Sequence, residues 1–330
     1  MQHARWLGLP VALAVLALWP VAASAGCTST DPLQARDLPS RIASVACREH
    51  ALWFQPFIDA QGRLASTTVA EAEDTRLADG STPAWLRVVD YWQGSGLLGS
   101  MAFAPGASTC AYARRGGGPI PGCRTFVVDK PWSAAFMSYV MVQAGVPGFR
   151  PSPGHVDYVR EAYQRPESSP YTAQDPRTAR PEVGDLLCYV RGTGAGADSH
   201  PALSAWFTRN PGASLAMHCE VVVQAGRGGQ AHLIGGNVLQ AVTMRILPLN
   251  RDGRFWGLPQ GDTANCSPAN PAACDFNRKH WATLLKLKPG LPMGPSRAFV
   301  PQAAPLPQAC CVNCVVGSGV PRCSAPATGD

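Results

Sequence analysis

Twelve cysteines follow a start that reads as an export signal, and the two together decide what kind of fold this chain can hold. Met1 to Arg5 is short and basic, Trp6 to Ala23 is apolar, and Ala23-Ser24-Ala25 offers the small residues a signal peptidase needs. A membrane anchor needs about 20 uninterrupted apolar residues, whereas Pro10 and Pro20 break this run. Residues 1–25 therefore read as a signal peptide, which sends the protein to the periplasm or the exterior. Ser24-Ala25-Gly26-Cys27 also ends like a lipoprotein box, so lipidation of Cys27 and anchoring at the outer membrane stand as an alternative to soluble release. In an oxidising compartment the cysteines are expected to pair. Cys110 with Cys123 and Cys266 with Cys274 each bracket a loop, and Cys188 can bridge to Cys219 if their strands are neighbours. Cys310, Cys311, Cys314 and Cys323 lack a histidine and the two separated pairs of a zinc site, so they too read as disulfide formers.

With 33 glycines and 31 prolines, the chain needs long loops, and 46% hydrophobic residues suffice for a real core. The formal charge of +6 favours anionic partners such as cell-wall polymer, but no Lys/Arg run points to nucleic acid. No later segment is long and apolar enough to span a bilayer, and the sequence leaves the oligomeric state open.

Periodicity divides the chain into a helical first half, a strand-rich middle and an irregular tail. Ser40 is placed to cap a helix running to about Phe57, and Thr82-Pro83 opens a second with Trp85, Val88, Val89 and Trp92 at helical spacing. Residues 94–128 read as a Gly-rich loop. Pro131 opens a third helix that Gly145 stops, with Trp132, Ala135, Phe136, Tyr139 and Val140 as its buried stripe. Ser152-Pro153 starts a fourth that ends near Tyr163, and 164–182 reads as loop. Strands are expected at 186–190, 217–223, 231–234 and 242–247. This predicts an α+β fold with helices on a small antiparallel sheet, in a domain spanning 40–255, followed by a Pro- and Cys-rich extension, 256–330.

Candidate chemistry falls in the order Ser133, Asp185, His218, Asn237. Ser133 lies in the first turn of a helix, off its most buried stripe, where free N–H groups and the dipole favour negative charge on a bound carbonyl oxygen. His218 sits in a strand, and Asn237 ends the next one, so one hairpin can set an imidazole beside an amide that holds its second N–H. Asp185 reads as a turn residue. His155 and Tyr158 can line a substrate cleft together with Trp132. No cofactor is expected, and no metal, because His155, His200, His218 and His232 lack His-Glu-x-x-His spacing.

Pro131-Trp132-Ser133-Ala134-Ala135-Phe136, Gly184-Asp185-Leu186, His218-Cys219-Glu220-Val221-Val222-Val223 and Ile234-Gly235-Gly236-Asn237-Val238 resemble the papain-like NlpC and CHAP cell-wall hydrolases. Within that superfamily they are most similar to the branch called domain of unknown function 2272, where serine stands in the cysteine position. The resemblance covers roughly residues 40–250. It implies cleavage of an amide bond in peptidoglycan or a related peptide, with Ser133 attacking, His218 as general base and Asn237 orienting His218. A thiol is pulled down to a thiolate by a histidine and a helix N-terminus, whereas a serine must lose its proton during attack. Ser133 can thus be a nucleophile only beside a well-placed base. The alternative is a catalytically silent wall-binding or scaffold protein on the same fold. An open groove at Ser133 supports the enzyme, and a filled one the scaffold.

Overall fold

The computed structural model describes residues 27, 29–115, 120–192, 196–261 and 265–295, with the backbone of two short paired strands, Val312–Cys314 and Pro321–Cys323. The expected signal peptide, and the side chains of the four cysteines from Cys310 to Cys323, lie outside the described residues.

Helix α1, Leu38–Leu52, is capped by Asp37, whose carboxylate accepts from the Ser40 N–H. The expected cap is therefore the donor, and an acid supplies the stronger acceptor for the orphan first-turn amides. After Trp53 the chain enters a short strand β1, Phe57–Ile58, rather than continuing the helix. Helix α2, Ala84–Gly94, begins after Pro83 and buries the expected Trp85, Val88, Val89 and Trp92. Two helices, α3 at Ala107–Cys110 and α4 at Pro121–Asp129, stand where glycine content suggests only loop. Helix α5, Ser133–Ala144, ends at Gly145 in the left-handed region (φ 67°). It is buried on nearly every side because α1 and α2 cover one flank and the sheet covers the other. Helix α6 spans His155–Gln164.

The sheet carries β2, Tyr171–Gln174; β3, Leu186–Val190; β4, Met217–Ala225; β5, Gln230–Val238; β6, Ala241–Pro248; and β7, His280–Leu287. Helix α7, His200–Arg209, fills the connection between β3 and β4. The order is β1-β6-β5-β4-β3-β7-β2, antiparallel except for the parallel β1–β6 pair, so the sheet is mixed and larger than expected. Strand β7 lies between β3 and β2. The boundary expected at residue 255 therefore falls before a strand that the sheet needs on its inside. Asp185 fastens that seam: its carboxylate accepts from the Glu182 and Leu287 N–H groups (2.7 and 2.8 Å) and pairs with Lys286 (2.6 Å).

Residues alternate across the sheet. Met217, Cys219, Val221 and Val223 of β4 join the core shared with the helices, whereas Leu187, Tyr189, Val222 and Trp281 belong to a second core on the far face. Among the described residues four disulfides form, Cys27–Cys47, Cys110–Cys123, Cys188–Cys219 and Cys266–Cys274. The last three were legible as loops and a strand pair. The first commits the Cys27 sulfur to Cys47, and a lipid thioether would need that same atom. Among the described residues no helix is long and apolar enough to cross a membrane.

Candidate functional site

Ser133 is the first residue of α5, and the chain around it is fixed from three sides. Trp132, just before it, is fully buried between Trp53 (ring centroids 5.8 Å) and Tyr91 (5.5 Å). Beneath these rings Arg87 pairs with Glu49 through two bonds of 2.9 and 2.6 Å, and Tyr91 donates to the same carboxylate at 3.0 Å. Trp132 Nε1 donates to Glu71 Oε2 at 2.5 Å. The substrate contact expected of Trp132 has no exposed surface to make it; this side chain anchors the helix start instead.

Asn237 completes that anchor. With its amide turned to satisfy both ends, Nδ2 donates to Glu71 Oε2 at 3.1 Å and Oδ1 accepts from the Trp132 N–H at 3.2 Å. The asparagine therefore braces the approach to Ser133, and these contacts occupy the amide that was expected to orient His218. Local backbone explains the placement. The β5–β6 register shifts between Gly235 and Val238, and Asn237 itself takes the positive φ of 55°. The two glycines serve a different need, close approach. A Cβ on Gly235 would come within 2.9 Å of His218 Nε2, and one on Gly236 within 2.4 Å of the Phe136 side chain.

The base nearest Ser133 comes from α6. His155 Nε2 lies 2.9 Å from Ser133 Oγ, and its Nδ1 is hydrogen-bonded to the Tyr158 hydroxyl one turn along the same helix. Ser138 sets this geometry from α5: its hydroxyl donates to the Ser152 carbonyl (3.2 Å) and accepts from the Ser152 N–H (3.1 Å), pinning the chain that leads into α6. Burial holds the His155 pKa well below the usual imidazole value, helped by the nearby charges of His218 and Arg191. The ring is therefore neutral at pH 7, the form that can take a proton.

His218 stands behind His155, with ring centroids 5.1 Å apart, and it shares its sheet face with Tyr189, its cross-strand partner, at 5.1 Å. Arg191 Nη2 donates to His218 Nδ1 at 3.0 Å, so the ring proton of the neutral imidazole is on Nε2, facing Glu220 Oε1 at 3.6 Å. Burial lowers the His218 pKa to about 4, Glu220 pulling it up and Arg191 pushing it down. For Glu220 burial acts upward, but the charge and hydrogen bonds of Arg245, with the His218 ring nearby, prevail and hold it at about 2. Arg245 grips both Glu220 oxygens (2.8 and 2.9 Å) and is itself fixed by Asn277 Oδ1 at 2.9 Å.

The structure thus gathers Ser133, His155, Tyr158 and His218 into one cluster and places Asn237 and Trp132 beside it as braces. Glu220 follows His218 at i+2 on the same strand face, a spacing visible in the sequence, yet its importance depends on Arg245, which only the β4–β5–β6 pairing brings near. Ser133 is 4% exposed, His155 3% and His218 0%. Of the two alternatives at Ser133, an open groove or a filled one, this structure has the filled one, with His155 in contact. Among the described residues no group of three His, Cys, Asp or Glu side chains is placed to hold a metal ion.

No curated protein and no solved structure matches the chain. Residues 79–287, more than half its length, match the family described as an uncharacterized protein conserved in bacteria (DUF2272), and the chain belongs to that family.

Proposed function

We propose that the protein is an exported hydrolase that cleaves an amide bond in peptidoglycan or a related peptide, with Ser133 as nucleophile and His155 as its base. The observation that carries this reading is the 2.9 Å contact between Ser133 Oγ and His155 Nε2 at the start of α5. In the productive tautomer His155 Nδ1–H donates to the Tyr158 oxygen and Nε2 accepts from Ser133 O–H. Ser133 Oγ bonds to the amide carbon as its proton passes to His155 Nε2, and the carbonyl oxygen turns to the first-turn N–H groups of α5, which have no partner four residues back. His155 then gives the proton to the leaving amine as the C–N bond breaks. Water, deprotonated by the same imidazole, clears the ester. The disulfides and the sequence start support an oxidising compartment, and the resemblance to cell-wall hydrolases supports the substrate class.

A second reading, a catalytically silent wall-binding protein, is favoured by one observation, the burial of Ser133 under His155. A fluorophosphonate probe separates the two without knowledge of the substrate. The enzyme reading expects phosphonylation of the Ser133 peptide by mass spectrometry, its loss in His155→Gln, and a smaller effect of His218→Gln. Absence of both labelling and muropeptide turnover, in a protein that still binds wall fragments, selects the scaffold.

A further inference from the structure

Two cations stand at the far side of this cluster with no carboxylate paired to them. Arg191 directly follows β3 and Lys279 directly precedes β7. The register Val190↔His280 makes them the next cross-strand neighbours at that end of the sheet. Like charges opposite each other on a sheet repel, and no salt bridge among the described residues relieves either one. The third cation, Arg245, is already committed to Glu220. Glu220 and, less strongly, Asp275 contribute negative potential to Lys279, but Glu220 is bound by Arg245 and the Asp275 carboxylate accepts from the Asn277 N–H (2.8 Å), so neither forms an ion pair with the lysine.

Both cations converge on the candidate site through one ring. Lys279 Nζ sits 5.7 Å over Tyr189, Tyr189 lies tilted against His218, and Arg191 Nη2 donates to the His218 lone pair. That last contact uses a charged donor on a neutral imidazole, a weaker acceptor than a carboxylate. Arg191 is solvent-exposed, so its planar fork can turn to an arriving anion.

We propose that Arg191 and Lys279 form a carboxylate subsite, which binds a free carboxylate of the peptide substrate beyond the scissile amide. The subsite rests on the hydrolase reading for its purpose but not for its test. A bound carboxylate lies between the two cations, relieves their repulsion and draws Arg191 away from His218 Nδ1.

The test uses the full-length oxidised protein carrying Ser133→Ala, which removes turnover, and calorimetric binding of N-acetyl-alanyl-alanine against its C-terminal amide. The free acid is expected to bind about tenfold more tightly, a difference of about 1.4 kcal/mol, with the preference shrinking as salt is raised. Arg191→Gln and Lys279→Gln should each remove most of that preference while leaving the affinity for the amide unchanged. Without ligand, Lys279→Gln should not melt below the parent, because it removes a repulsion; Arg191→Gln also takes the donor from the buried His218 Nδ1, so its readout is the lost acid preference rather than its midpoint. Equal affinity for acid and amide, no measurable binding of the acid, a preference that survives Arg191→Gln, or tighter binding of inorganic phosphate than of the acid would each overturn the proposal. A carboxylate preference in a protein whose Ser133 never reacts with the fluorophosphonate would keep the subsite and discard the hydrolase.

Discussion

Replacing Glu220 by glutamine tests whether the wall behind His218 is held by charge. Glu220 and Arg245 are both essentially solvent-free and joined by two bonds of 2.8 and 2.9 Å. Losing one partner of a buried ion pair costs about 3–5 kcal/mol, because the other charge is left without compensation. Arg245 would keep the Asn277 side chain (2.9 Å) and the Phe276 carbonyl (2.6 Å), which places the expected cost near the lower end, about 3 kcal/mol. For a unit of this size that corresponds to a fall of roughly 6–12 °C in Tm. The assay is urea unfolding of the oxidised protein followed by circular dichroism, with Glu220→Gln compared with Glu220→Gln/Arg245→Met. The double variant should regain most of the loss, since the stranded guanidinium is gone. His218 titration by NMR should also move below its present value of about 4, because Glu220 pulls that value upward. A loss under about 1 kcal/mol in the single variant, or a double variant less stable than the single, would refute the argument.

Acid should destabilise the protein between pH 6.5 and 4. His218 and His50 are both lowered to about 4 by burial, so the unfolded chain takes up their protons first and their contribution, full above pH 6.5, is lost as pH falls. Asp185 works in the opposite direction, because burial raises it to about 6 and its protonation favours the folded state as pH drops to 3.8. Burial also lowers His155, His200 and His232 and raises Glu71, so a urea midpoint at pH 4.5 equal to that at pH 7 would contradict the balance of these histidines against the two raised carboxylates. Separately, Gly236→Ala should cost at least about 1–3 kcal/mol by forcing a Cβ into the Phe136 ring, whereas Gly253→Ala, with open space around it but a φ of 74°, tests backbone strain alone in the same thermal melts.

Much of the fold was legible wherever burial imposes a period. Trp85, Val88, Val89 and Trp92 mark α2, and the runs at 186–190 and 217–223 mark β3 and β4, because each has one dominant environment along its length. Strand β7 was missed for a physical reason. Its partners β3 and β2 precede it by roughly 90 residues or more, so the apolar run Trp281–Leu285 gives no local sign of the sheet it joins. Helices α4 and α7 were hidden by the glycines and prolines that flank them, although α7 carries a readable cap in Ser199. At the site, the motifs expected to act together lie near one another, but not in the expected pairing. His218 has the opposite strand parity from Cys219, the disulfide partner facing the helices, and meets Ser133 only through His155. The partner of Ser133 proved to be His155, because Ser138 ties the α6 approach to α5, a tertiary link with no periodic signal.

The disulfide pattern bears on how the chain is made. Cys27–Cys47, Cys110–Cys123, Cys188–Cys219 and Cys266–Cys274 each join neighbours in chain order, with no loop nested in another. An oxidase that joins thiols in the order they emerge from a translocon therefore produces these four bridges directly, with no slow thiol exchange among their eight cysteines. Formation of these four bridges thus requires a donor of oxidising equivalents but not an isomerase, and a host lacking only the isomerase should yield all four correctly.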